Sequence, residues 1–286
     1  MDDFQAVEFR REGACANVYA ARAGGRAVAL KVSPVRQTPP HDALNEIEVL
    51  AAVAGDRVVA VLDAVLDQAR GQVVLVMPLY EASLADAIDR GVAADDVRTI
   101  TRDITGALAH VHARGVIHRD VKPGNVLLAG GRAVLADFGT AWPNLAAPDA
   151  EPADAKITDV STSVYRAPEL LFAYGAYSDR IDVWSWACVV AEMLTGRPLF
   201  GEPTTSEIGL ANAIFRTLGT PDLATWPEAA AFASFAHIRF VPHAPRPLAE
   251  VLPVAADARA FVARMLVYES GRRASARELL ADPYVA

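Results

Sequence analysis

His118-Arg119-Asp120-Val121-Lys122-Pro123-Gly124-Asn125-Val126-Leu127-Leu128, followed shortly by Asp137-Phe138-Gly139, is the stretch from which the rest of the chain is read. It places two carboxylates, Asp120 and Asp137, one carboxamide, Asn125, and one cation, Lys122, in polar segments flanked by apolar runs. Transfer of a phosphoryl group needs this set of residue types. A carboxylate must sit beside the attacking hydroxyl, oxygen ligands must hold a divalent metal, and a cation must screen the moving charge. Either motif alone is weak, but both in this order and at this spacing are specific.

Working outward, two textures alternate along the chain. Val28-Ala29-Leu30-Lys31-Val32 and Val73-Val74-Leu75-Val76-Met77 read as buried strands, and Leu44, Ile47, Leu50 and Ala51 recur at helical spacing after Pro39-Pro40. Met77-Pro78-Leu79-Tyr80 reads as a connector, because a proline cannot donate to a strand ladder. Beyond it the pattern turns helical. Val97, Ile100, Ile104, Leu108 and Val111 form one apolar stripe, while Ile181 to Leu194 is apolar nearly all round, as for a helix inside a larger lobe. Pro143 to Ala155 is rich in Pro, Ala and Asp and reads as a mobile loop.

Composition excludes several classes. With 286 residues and 52% apolar side chains the chain fills a sizeable core. Two distant cysteines, Cys15 and Cys188, give no disulfide or zinc pattern and point to a reducing compartment. The net charge of −8 argues against a nucleic-acid surface. No secretory signal and no membrane span is read, since Asp182 and Glu192 interrupt the longest apolar stretch. His41, His110, His112, His237 and His243 lack metal-ligand spacing and read as solvated or packed.

The two motifs resemble those of the protein kinase family, and the resemblance runs from about residue 7 to 284. It implies an α+β bilobal fold with a small β-rich lobe at about 1–77, a hinge at 78–81 and a large, mainly helical lobe at 82–286, all in one domain. It makes Asp120 the catalytic base, Lys122 the phosphate-contacting cation, and Asn125 and Asp137 the Mg²⁺ ligands. Val28-Ala29-Leu30-Lys31 looks like the strand whose lysine reaches the ATP phosphates, steered by Glu46 on the next helix. Gly13, Val18, Ala29, Lys31, Met77, Pro78, Tyr80 and Leu127 would surround the nucleotide, with the Pro78 carbonyl and the Tyr80 backbone on the base edge. Of three expected glycines in the phosphate-covering loop only Gly13 remains, so Arg11 and Ala16 are expected to stiffen or lift that loop and weaken ATP binding. Glu169 and Arg273 are expected to pair within the large lobe.

Within the family the likeness is to cyclin-dependent kinases, through the helix holding Leu44 and Glu46 and through Ile214 to Asp222 with Trp226-Pro227. Three positions depart from that pattern. Ile157 stands where the activation-loop phosphothreonine would be, with Thr158 adjacent, and Asn45 and Trp142 replace two of the three arginines that would clasp the phosphate. Only Arg119 remains. This resembles the fungal monomeric kinases that activate cyclin-dependent kinases. It implies a monomer acting on protein substrates, with cyclin-dependent kinases among them, cyclin not required, and residence in nucleus or cytoplasm. An ordinary cyclin-bound kinase and a catalytically silent scaffold are the alternatives. Apolar contacts of Trp142 and Ile157 are expected to hold the activation segment open.

Overall fold

The computed structural model describes residues 4–13, 15–144, 151–201 and 206–286. Five antiparallel strands form the first sheet: β1 Gln5–Glu12, β2 Asn17–Ala23, β3 Arg26–Pro34, β4 Asp63–Asp67 and β5 Gln72–Pro78, in the order β1-β2-β3-β5-β4. The unbroken apolar run Val73–Val76 makes β5 an interior strand, and its pairing ends at Pro78, which has no N–H to give. Helix α1, Ala43–Ala52, crosses this sheet and begins where the Asp42 carboxylate accepts the Leu44 and Asn45 amides at 2.8 and 3.0 Å.

The helix forms where the spacing predicts it and turns Glu46 inward, as the resemblance implies. Ala43, Glu46, Val49 and Leu50 turn inward, while Leu44 is 46% exposed and Ala51 faces solvent. The inner face carries a carboxylate because it lies over a charged cleft, and an apolar count cannot see that.

Past the connector, β6 Ala82–Ser83 leads into α2 Leu84–Arg90 and α3 Ala94–His112. Short strands follow: β7 Val116–Ile117, β8 Val126–Ala129, β9 Arg132–Leu135 and β10 Trp142–Pro143. β8 pairs with both β6 and β9, and β10 pairs with β7. α4 Pro168–Leu171, α5 Arg180–Thr195 and α6 Glu207–Leu218 complete the centre, with three shorter helices, Leu248–Val251, Ala256–Ala263 and Ala276–Leu279, outside it.

The stripe Val97, Ile100, Ile104, Leu108 and Val111 is the buried side of α3. Every residue of α5 from Ile181 to Met193 is buried, and the helix stops at Gly196, whose φ of 72° is the left-handed conformation that glycine adopts cheaply. The fold is therefore α+β: a sheet with one helix above, helices below, and the two motifs of the opening stretch between them. Glu169 and Arg273 meet in the large lobe, both fully buried, with Nη1–Oε1 at 2.8 Å and Nη2–Oε2 at 3.1 Å. Residues 145–150 of the stretch read as a mobile loop lie outside the described residues. Among the described residues no helix is long and apolar enough to cross a membrane.

Candidate active site

The cleft is built from both halves of the fold. β3 brings Lys31 out of the sheet, and strand register alone sets Val18 opposite Lys31 and Met77 opposite Ala29. Lys31 Nζ donates to both oxygens of Glu46 and to Asp137 Oδ1, each at 2.7 Å. Burial alone would strip the proton from Lys31. The carboxylates of Asp137 and Glu46 outweigh that and hold the ammonium above the ordinary lysine range. Burial would likewise raise the Asp137 carboxyl, but the Lys31 cation holds it well below the usual carboxylate range. Burial pushes the Glu46 carboxyl above its ordinary range, against the pull of the Lys31 ammonium.

Three hydrogen bonds tie α1 to the segment after Asp137. Phe138 N–H donates to Glu46 Oε1 at 3.1 Å, the Asp42 amide donates to the Gly139 carbonyl at 3.0 Å, and Asn45 Nδ2 donates to the Ala141 carbonyl at 3.1 Å. Phe138 is buried, its ring edge-on to His118 with centroids 4.6 Å apart. Asn45, which lacks the charge an arginine would bring, thus serves as a neutral link to the same segment.

Asp120 stands in a dense polar cluster. Its Oδ2 accepts Lys122 Nζ at 2.6 Å and Asn125 Nδ2 at 3.0 Å, and its Oδ1 accepts the Thr162 hydroxyl at 2.7 Å. Thr162 Oγ in turn accepts from Lys122 at 3.0 Å. The loop that carries Asp120 is fixed from below, where the buried Asp182 carboxylate of α5 accepts the His118 and Arg119 amides at 2.8 and 2.9 Å. Arg119 holds a φ of 68°, strain that these bonds sustain. His118 Nδ1 accepts the Asp120 amide while its Nε2 donates to the Ala136 carbonyl, which defines a neutral tautomer.

The structure thus brings Lys31, Glu46 and Asp137 into contact, and Asp120, Lys122 and Asn125 into a second group. Met77, Tyr80 and Leu127 are partly buried against the main core, and Ala29, opposite Met77 in the sheet, is buried as well. Gly13 is exposed, and its N–H bonds the Ala16 carbonyl at 2.9 Å in a tight turn. A Cβ at Gly13 would stand 2.9 Å from that carbonyl oxygen, so the turn itself demands glycine.

The structure adds detail to these expectations. The Arg11 guanidinium reaches across the cleft to Gly124, where a Cβ would meet both Nη atoms at 3.4 Å. His112 is packed in the interior, and its Nε2 bonds Asp182 Oδ2 at 2.8 Å. Arg119, the arginine that remains of the clasp, meets an anion, Glu151. The activation segment is accordingly held by polar as well as apolar contacts. The contact of Thr162 with Asp120 is not part of the sequence reading, although its place three residues before Tyr165-Arg166-Ala167-Pro168-Glu169 is a usable signal.

Asn125 spends its amide hydrogens on the Asp120 carbonyl, at 2.8 Å, and carboxylate. Its Oδ1, and Oδ2 of Asp137, lack a protein partner among the described residues. Two hard oxygen donors suit Mg²⁺. Among the described residues no group of three or more His, Cys, Asp or Glu could hold a metal unaided, so phosphate oxygens would have to complete the shell. Beside Lys122 a cavity of about 140 Å³ is lined by Arg11, Asp89, Gly124, Tyr165 and Glu192. A larger cavity, about 390 Å³, lies at the end of β3 between Pro34, Arg36, Leu66 and Gly71, away from this chemistry.

Comparison with known proteins places the same residues in context. The protein kinase domain model matches residues 11–285. The chain is 30% identical over 258 residues to serine/threonine-protein kinase csk1 of Schizosaccharomyces pombe, covering 88% of this chain and 83% of that one. It is 33% identical over 294 residues to cyclin-dependent kinase 20 of Homo sapiens, covering 99% and 83%, and 32% identical to the Danio rerio protein of that name at the same coverage.

Proposed function

This chain belongs to the protein kinase family, as a serine/threonine kinase of cyclin-dependent kinase-like type, and on that footing we propose that it is a monomeric kinase which phosphorylates and activates other cyclin-dependent kinases without needing a cyclin or a phosphate of its own. The observation that supports the reading is the Lys31–Glu46 pair, with α1 anchored to the segment after Asp137 through Asn45 and Glu46. Phosphoryl transfer in protein kinases requires that pair to be in place.

The residue roles follow from position and chemistry. When bound, Mg²⁺ and ATP supply the transferable phosphoryl group and the counter-charge on its oxygens. Asn125 and Asp137 would hold the metal, and Lys31, aimed by Glu46, would contact the phosphates. Asp120 orients the substrate hydroxyl and takes its proton, with Lys122 beside it to screen the charge and Thr162 fixing its carboxylate plane. The adenine would lie between Val18 and Ala29 above and Leu127 below, with Met77 behind it and the Pro78 carbonyl and Tyr80 backbone on its edge.

One observation favours a second reading, a cyclin-bound kinase: Leu44 is an exposed apolar side chain on the outer face of α1. Phosphate transfer to a purified cyclin-dependent kinase, with and without added cyclin, separates the two. Full activity without cyclin supports the proposal, and activity only in its presence refutes it.

A further inference from the structure

Arg119 is 3% exposed, and a guanidinium so deep in the protein is costly unless an anion meets it. Glu151 does so. Nη1 of Arg119 donates to both Glu151 carboxylate oxygens at 2.8 Å, and also lies 3.2 Å from the Tyr177 hydroxyl, while Nε donates to the Thr140 carbonyl. The same carboxylate accepts the backbone N–H of Ile157, and the Glu151 carbonyl accepts the Trp142 indole N–H at 2.9 Å. Lys156 closes the cluster, with its ammonium on the Ala153 carbonyl and 4.9 Å from the rings of both Trp142 and Tyr177.

The Glu151 carboxylate therefore joins the loop that carries Asp120 to the later part of the activation segment at Ile157, and its backbone carbonyl adds the start of that segment at Trp142. The Glu151 carboxylate faces two buried cations here, Arg119 and Lys156, while Asn45 and Trp142 stand where the other two arginines of a phosphate clasp would be. Ile157, whose amide Glu151 holds, is also where the chain count puts a phosphothreonine in the kinases it resembles.

We propose that Glu151 is a positioning residue for phosphoryl transfer: its carboxylate is a built-in anion that holds Arg119 and Ile157 in register, doing through a genetically encoded side chain what a phosphate would otherwise do. The proposal rests on the reading above that this kinase works without a phosphate on its own activation segment. Glu151 touches no reacting atom and acts through Arg119, whose neighbour in the chain is Asp120.

The test uses the full chain made in bacteria, with phosphosites mapped by mass spectrometry. Glu151→Gln keeps the shape and removes the charge. Its kcat toward a protein substrate is expected to fall at least about tenfold, the loss of one charge-assisted contact, with the ATP KM within about twofold. The melting temperature falls as well, because Arg119 stays buried without its anion. Glu151→Asp should recover part of the loss, and Thr158→Ala should change little. Wild-type kcat in a folded Glu151→Gln protein overturns the proposal, as does a loss in which the ATP KM rises in step with the fall in kcat. If the Gln variant does not melt cooperatively, Glu151→Asp decides by the same split between kcat and ATP KM. The underlying reading fails separately: unmodified wild-type protein would be inactive until phosphate appears on Thr158 or Thr162. Active wild-type protein with an indifferent Glu151→Gln sinks the role of Glu151 alone.

Discussion

Replacing Asp120 with asparagine should remove chemistry and leave binding intact, and the hydrogen bonds around it say why. Oδ2 faces two donors, Lys122 at 2.6 Å and Asn125 at 3.0 Å, whereas Oδ1 faces the Thr162 hydroxyl at 2.7 Å. A carboxamide can meet this pattern in one orientation, with its oxygen toward Lys122 and Asn125 and its NH₂ toward Thr162, whose hydroxyl turns round to accept. Fold and cleft geometry therefore survive, and what disappears is the ability to take a proton. General-base catalysis is typically worth about 10²–10⁴ in rate, or about 3–5 kcal/mol of activation free energy. Steady-state kinetics with varied ATP and fixed protein substrate, beside a melting curve, measure both sides. The expected result is a kcat lower by that factor, an ATP KM within about twofold and an unchanged melting temperature. A variant that keeps more than about a tenth of the wild-type rate refutes the assignment, and one that loses ATP binding refutes the geometry.

Gly13→Ala should raise the ATP KM several-fold with less effect on kcat, because its Cβ would press on the Ala16 carbonyl at 2.9 Å and distort the loop above the phosphates; an unchanged KM would mean the turn yields freely. Arg273→Met strands the fully buried Glu169 carboxylate and three carbonyls that Arg273 now serves, at about 3–5 kcal/mol, or about 10 °C in melting temperature. The double variant with Glu169→Leu should recover part of that loss, and a cost near zero for the single change would contradict the burial. For pH, the depressed Asp137 carboxyl contributes stability that is fully present above the ordinary aspartate range and is lost as pH falls through its folded value, while the raised Lys31 contributes stability lost only as pH climbs past the ordinary lysine range. Urea midpoints should thus fall more steeply below about pH 4 in wild type than in Asp137→Asn, the window that Asp137's own shift defines; parallel curves would refute it.

The parts legible in the sequence were those where residue type and function coincide locally. Asp120, Lys122 and Asn125 lie in one short loop whose chemistry is its spelling, and α5 betrays its burial by being apolar all round. Glu151 was not legible. It sits at the edge of a Pro-, Ala- and Asp-rich stretch, where one more acidic residue carries no local signal, and only the fold sets it against Arg119. His112 was hidden for a similar reason, since its partner Asp182 lies on a different helix. The inward turn of Glu46 was legible only through the resemblance, because hydrophobic spacing alone treats a carboxylate as solvent-facing, whereas Lys31 makes its burial tolerable.

The two carboxylate oxygens of Asp182 bear on how this kinase comes apart. They suspend the backbone of the Asp120 loop from α5, a helix with hardly any face toward water. The loop cannot lose that support unless the centre of the large lobe opens with it. The amides of His118 and Arg119 should therefore exchange hydrogen only through global unfolding, while the Asp42 amide, which bridges the lobes to Gly139, exchanges through smaller openings that leave the large lobe folded. Assembly of the catalytic loop and folding of the large lobe are, on this account, one cooperative event, and closure of the small lobe upon it is another.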